Sequence, residues 1–189
     1  KYPCCGGNHS MLDGLLGLIQ EHRLTYDDIA EVEITNEPYL SVVMLYDEPR
    51  DGLSGKFSLR YNAAMAALDG KVGIETFTDE KALGPKAKEA MGKVRIQVAD
   101  KWRQGADQIL AGTPVTVRTR DGRTFSRTVP GHHILGSSRN PWGFENIQAK
   151  FQENARYVLP GERVRQTVET WKDIAAIQDL RQALQAAVV

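Results

Sequence analysis

The sequence predicts an α+β domain: a small, mostly antiparallel sheet of about four strands, packed with helices and followed by a helical C-terminus. Three observations lead there. Polar and apolar residues alternate at Glu31–Thr35, Lys93–Ala99 and Thr113–Thr119, the period of half-buried strands. Asp121-Gly122 follows the third run and precedes Arg123–Val129, and this dipeptide is a strong hairpin signal. Between and after these runs, apolar residues recur every three or four positions, as on one face of a helix.

In chain order, Lys1–His9 is a glycine-bearing loop in which Asn8 is the expected N-cap and His9 the first helical residue. The helix runs to about Arg23, with Met11, Leu12, Leu15, Leu16, Leu18 and Ile19 as its apolar face. Gly14 and Gly17 weaken it by about 1 kcal/mol each relative to alanine, so they mark a close packing contact. Thr25–Asp28 reads as a short capped turn before the Glu31–Thr35 strand. Residues 36–54 hold two prolines and little periodicity, which predicts a long connection or an irregular helix.

Gly55–Gly70 carries the clearest helical spacing, with Phe57, Tyr61, Ala64, Met65 and Leu68 on one face. Ser58 is its expected N-cap and Gly70 its C-terminal stop. Ala63, Ala64, Ala66 and Ala67 let a neighbour approach closely, so this helix is expected to be buried. Short helices follow at about Asp79–Leu83 and Pro85–Met91. In the next strand Val94, Ile96 and Val98 are expected to face inward. Gly131–Pro141 reads as a loop, Trp142–Leu159 as a helix with Phe144, Ile147, Phe151, Ala155 and Val158 on one face. Glu162–Lys172 and Asp173–Ala187 complete a helical end. Trp102, Trp142 and Trp171 read as packing residues.

The 189 residues suit one domain with a helical tail. Lys plus Arg and Asp plus Glu are each 24, so no basic field points to nucleic acid or to an anionic membrane. No apolar run approaches the ~20 residues of a membrane span, and no signal peptide is recognisable. The chain opens at Lys1 without an initiator methionine, which suggests a piece of something longer. Cys4 and Cys5 are its only cysteines. Being adjacent, they would form a strained disulfide, so the expectation is a reducing compartment, the cytoplasm.

The chemistry concentrates at two helix starts. Lys56 and Arg60 place two cations beside a helix N-terminus that already favours an anion, and Tyr61 adds a phenol in the same turn. That combination suits a carboxylate substrate. A core tyrosine flanked by two solvated charges is the alternative reading. His9, at another helix start, should have a lowered pKa and stay neutral at pH 7, able to accept a proton; an ordinary surface histidine is the alternative. Cys4, Cys5 and His9 are too few ligands for structural zinc, and no metal site is expected. His132 and His133 read as solvent-facing loop residues.

Three stretches add a resemblance. The Tyr2-Pro-Cys-Cys opening with Asn8-His9 and Leu12-Asp13, the Lys56-Phe-Ser-Leu-Arg-Tyr61-Asn-Ala-Ala run to Leu68-Asp-Gly70, and the ordered Asp121-Gly122, Asn140-Pro141 and Ala149-Lys150-Phe151 resemble the C-terminal region of the MmgE/PrpD family. The resemblance implies cofactor-free enzymes that dehydrate, decarboxylate or epimerise small di- and tricarboxylates such as 2-methylcitrate. It implies a homodimer in which a large N-terminal helical domain, absent from this chain, meets this smaller lid domain at the site. By the same resemblance Tyr61 corresponds to an active-site tyrosine and His9 to a pocket histidine. Lys1 corresponds to a lysine just before the Tyr-Pro pair after a one-residue shift. Cys5 falls where decarboxylase-type members carry another histidine, which counts against decarboxylation. The expectation is a dehydratase with Tyr61, His9 and Lys1 catalytic and Arg60, Lys56 and Cys5 lining the substrate. An epimerase, isomerase or decarboxylase of a related acid is the rival within the enzymes, and a non-catalytic carboxylate-binding or interaction module the rival outside them. The reading requires Tyr61 and His9 to meet in one polar hollow.

Overall fold

The computed structural model describes residues 1–99, 111–185 and 187–188; Trp102 lies outside them. Strand β1 (Ile29–Asn36) is the centre of the architecture. It alternates, with Val32 and Ile34 fully buried and Glu31 and Glu33 on the other face. β1 pairs in parallel with β2 (Val94–Val98) and antiparallel with β3 (Val115–Thr119), which pairs antiparallel with β4 (Thr124–Arg127). The sheet is therefore four-stranded in the order β2-β1-β3-β4. Its parallel pair follows from the long helical crossover between β1 and β2, whereas the Asp121-Gly122 turn folds β4 directly back on β3. On the polar face Arg118 reaches Glu31 and Glu33 at 3.2 Å each, and Arg95 reaches Glu31 at 3.4 Å. These cross-strand pairs let one face stay in water.

The other face is covered by helix α1 (His9–Glu21), which packs on β3 and β4, and by α4 (Leu59–Asp69), which packs on β2 and on α1. The α1 glycines make that approach close: a Cβ on Gly14 would lie 2.9 Å from a Val115 methyl, and one on Gly17 would collide with the Arg127 guanidinium. α4 is buried nearly all round, from Leu59 to Ala67. Ser58 Oγ accepts from the Tyr61 N–H at 3.0 Å, and Gly70 closes the helix at φ 67°. The helix therefore begins after Phe57, which stands 37% exposed rather than in the predicted apolar face.

The crossover contains α2 (Pro38–Val43), α3 (Gly52–Gly55), α5 (Asp79–Leu83) and α6 (Pro85–Met91). Val98, expected inward, is 55% exposed, since burial falls away along β2 from Val94 through Ile96 to this last position. By contact density the chain divides into Lys1–Asn140 and Pro141–Val189. The second unit holds helices Phe144–Ala155, Gly161–Trp171 and Leu180–Gln185. Its first helix stops at Ala155, so Val158 lies outside it and exposed, while Leu159 joins Ala155 and Val164 in a small core. Trp142 sits against the Lys150 ammonium and Trp171 lines an apolar cavity within this unit. Among the described residues no helix is long and apolar enough to cross a membrane.

Candidate functional site

The site begins with an unsatisfied carbonyl. Lys56 ends the four-residue α3, and the last carbonyls of a helix lack intrahelical partners. Its oxygen accepts from the Cys5 N–H at 3.1 Å and from Asn8 Nδ2 at 3.1 Å. These bonds pin the opening loop, whose 3-10 turn Gly6–Asn8 delivers His9 to the first position of α1. Asn8 stands at the expected N-cap position, but its fully buried side chain donates Nδ2 to the Lys56 carbonyl and makes no capping bond.

Around His9 the geometry assembles a polar cluster. The Tyr2 ring meets the imidazole edge to face, with centroids 5.3 Å apart at 82°. One turn along α1, Asp13 Oδ1 accepts from Lys1 Nζ at 2.9 Å and from the Tyr2 hydroxyl at 2.7 Å. Asp13 Oδ2 accepts from the Leu135 N–H at 2.9 Å. The Asp13 side chain is only 9% exposed, which strengthens each of these charge-assisted contacts. Burial and the Asp13 carboxylate push the Tyr2 phenol far up, so it stays a donor.

His9 is the free acceptor of this cluster. Burial lowers its pKa, while the backbone of Tyr2 and Cys4 and the Asp13 charge act in the opposite direction. Nε2 is buried with no partner among the described residues. A neutral imidazole is able to accept a proton.

Two expected site residues do not join it. Tyr61 is fully buried, its hydroxyl donating to the Thr76 carbonyl and its ring lying against Phe77 at 6.1 Å. Burial, then the Asp69 charge, drives its phenol upward. The expected hollow shared by Tyr61 and His9 is therefore corrected: in this domain the phenol is sealed in the core. The physical cause is the burial of α4 on nearly every side: only Arg60 in its first turn reaches solvent, and Tyr61 points the other way into the core. Arg60 is likewise engaged, by Asp47 at 2.7 Å and by the Val94 carbonyl, bracing α4 against β2. The Lys56 side chain lies over the Phe77 ring at 5.8 Å, and what Lys56 brings to the His9 loop is its carbonyl.

Cys4 and Cys5 are free thiols. Burial pushes Cys4 up to about 12, an unreactive thiol. Cys5 is half-buried, with its Sγ toward Gly7. His132 and His133 form a 3-10 turn with ring centroids 4.4 Å apart; His133 is exposed and His132 half-buried. Their loop reaches the cluster through Leu135. Sequence reasoning missed Asp13 and Tyr2 as members of the site. The available signal was the i, i+4 spacing of His9 and Asp13, which puts two titratable groups on one side of an otherwise apolar helix.

Comparison with known proteins adds an independent line. The chain is 24% identical over 151 residues to human (Homo sapiens) cis-aconitate decarboxylase, covering 80% of this chain and 29% of that protein. It thus spans less than a third of the relative's length. The MmgE/PrpD C-terminal domain family matches residues 2–173, from the opening loop through the sheet and into the helical end. By that match the chain belongs to the MmgE/PrpD family, and its sequence is that of the family's C-terminal domain.

Proposed function

We propose that this chain is the C-terminal, lid-like part of a cofactor-free lyase that dehydrates a small hydroxylated tricarboxylate such as 2-methylcitrate. The supporting observation is His9 Nε2, buried and without a partner among the described residues, in the same cluster as the Lys1–Asp13 pair. In this reading Nε2 takes the proton from the carbon next to a carboxylate. The electron pair left behind forms the new carbon–carbon double bond, and the neighbouring hydroxyl leaves as water after taking up a proton. Lys1, still touching Asp13, offers its ammonium to the substrate carboxylate, where negative charge develops. Tyr61, Arg60 and Lys56 build the support behind the site, and Cys5 lines the loop. The remaining contacts come from a helical domain outside this chain, in a cytoplasmic homodimer.

The test is turnover of 2-methylcitrate, citrate and cis-aconitate by the complete polypeptide and by its His9→Gln variant. The proposal expects dehydration by the complete enzyme, its loss in the variant, and negligible activity from the 189 residues alone. Carboxylate binding by the complete polypeptide without turnover or proton–deuterium exchange would instead establish a binding module. A second reading, decarboxylation, is favoured by the similarity to cis-aconitate decarboxylase. Release of carbon dioxide from cis-aconitate decides for it, and exchange without loss of water or carbon dioxide decides for an epimerase.

A further inference from the structure

Three donors of different origin converge on one carboxylate. Asp13 binds an ammonium (Lys1), a phenol (Tyr2) and a backbone amide (Leu135) that lie 12, 11 and 122 positions away in sequence. The amide belongs to a loop that is braced within itself. Gly136 N–H donates to the Asn140 carbonyl at 2.7 Å, Ser137 Oγ to the His132 carbonyl at 2.6 Å and Asn140 Nδ2 to the His133 carbonyl at 2.9 Å. Such a loop docks as one piece. Its Ile134 lines a cavity of about 240 Å³ together with Gly6, Gly7 and Ser10, from the loop and the first turn that carry His9.

We propose that Asp13 is the positioning residue of the site: it fixes Lys1 and Tyr2 beside His9 and fastens the Gly131–Asn140 loop to the start of α1. Its role in turnover rests on the function proposed above; the anchoring itself does not. One carboxylate thereby couples the cation that meets substrate, the ring that packs on the base and the loop that walls the neighbouring cavity. Asp13 does not touch the reacting carbon. It acts through Lys1, Tyr2 and the loop, and a small misplacement of such groups is enough to slow a reaction by about 100-fold.

The experiment uses NMR on the chain as it stands and kinetics on the complete enzyme. In the wild-type chain the Leu135 amide proton is expected to shift with pH in step with the Asp13 carboxyl carbon. In Asp13→Asn the Leu135 amide is expected to exchange with solvent faster while the amides of Val32 and Val117 in the sheet keep their protection. In that variant the His9 imidazole titrates lower, because the Asp13 charge that favours the imidazolium is gone. Asp13→Glu keeps the charge and is expected to return the His9 midpoint toward wild type. In the complete enzyme Asp13→Asn is expected to lower kcat/KM about 10- to 100-fold. A Leu135 amide that ignores the Asp13 titration overturns the proposal, and this reading needs no folded variant. So does an Asp13→Asn chain with wild-type Leu135 exchange and an unmoved His9 midpoint. If the NMR results hold but the complete enzyme acts on none of the three acids, the function reading fails and the anchoring role of Asp13 stands.

Discussion

Tyr61→Phe separates the two readings of the tyrosine in α4. The substitution keeps the ring and removes only the hydroxyl that donates to the Thr76 carbonyl. Tyr61 is 0% exposed and Thr76 1% exposed, so water has no access to replace the lost donor. A neutral hydrogen bond contributes about 1 kcal/mol net, and an acceptor left buried and unsatisfied raises the cost to about 1–3 kcal/mol. For a chain of this size that is a drop in Tm of roughly 2–10 °C. Tyr61→Ala also empties the space between Gly55 and Phe77 and is expected to cost about 3–5 kcal/mol. Urea unfolding followed by circular dichroism measures both losses, and turnover by the complete enzyme is followed alongside. The expected outcome is a destabilised Tyr61→Phe protein that still turns over at a temperature where it is folded. A variant with wild-type stability and abolished turnover would refute the reasoning, because it would put the phenol at the chemistry and not in the core.

Other perturbations test the same framework. Because His9 has a folded pKa below its usual 6.5, the unfolded chain binds the extra proton more readily; the contribution of His9 to stability is full above about pH 6.5 and is lost as pH falls toward the lowered folded value. Denaturant midpoints measured from pH 8 to pH 5 should show that loss, and His9→Gln should remove this part of it. Gly14→Val overfills the α1–β3 contact, where a Cβ already lies 2.9 Å from Val115, and is expected to cost about 1–3 kcal/mol by chemical denaturation. Arg60→Met removes the bonds to Asp47 and the Val94 carbonyl and should lower stability by about 1 kcal/mol, discounted for the exposure of Asp47, while leaving KM of the complete enzyme unchanged. A large rise in KM would return Arg60 to the substrate.

Much of the fold was legible because it is encoded locally. Alternation over Glu31–Thr35 and Thr113–Thr119 marked β1 and β3, Asp121-Gly122 joined β3 to β4, and Asp79–Leu83 and Pro85–Met91 were readable to the residue. Ser58 and Gly70 bounded α4 as read, since capping depends on bonds within one turn. Asn8 holds the cap position but makes no capping bond: a distant carbonyl, that of Lys56, fixes Nδ2 and with it the orientation of the whole amide, and Oδ1 accepts from none of the described residues. Val98 failed as a core residue because burial falls away along β2, and periodicity reports a face but not how far along the strand that face is covered.

Sequence by itself singled out the candidates: an imidazole opening a helix, a lysine at the chain's start, and a phenol in an alanine-rich run. Only the tertiary structure decided which of them stand together. Burial and pairing are set by what packs alongside, so identical helix-start signals led to opposite ends. The first turn of α4 was walled in by Thr76, Phe77 and Asp47, and its polar groups were consumed. The first turn of α1 met a carboxylate one turn further along and a loop from 122 residues away, and there one ring nitrogen has no partner among the described residues.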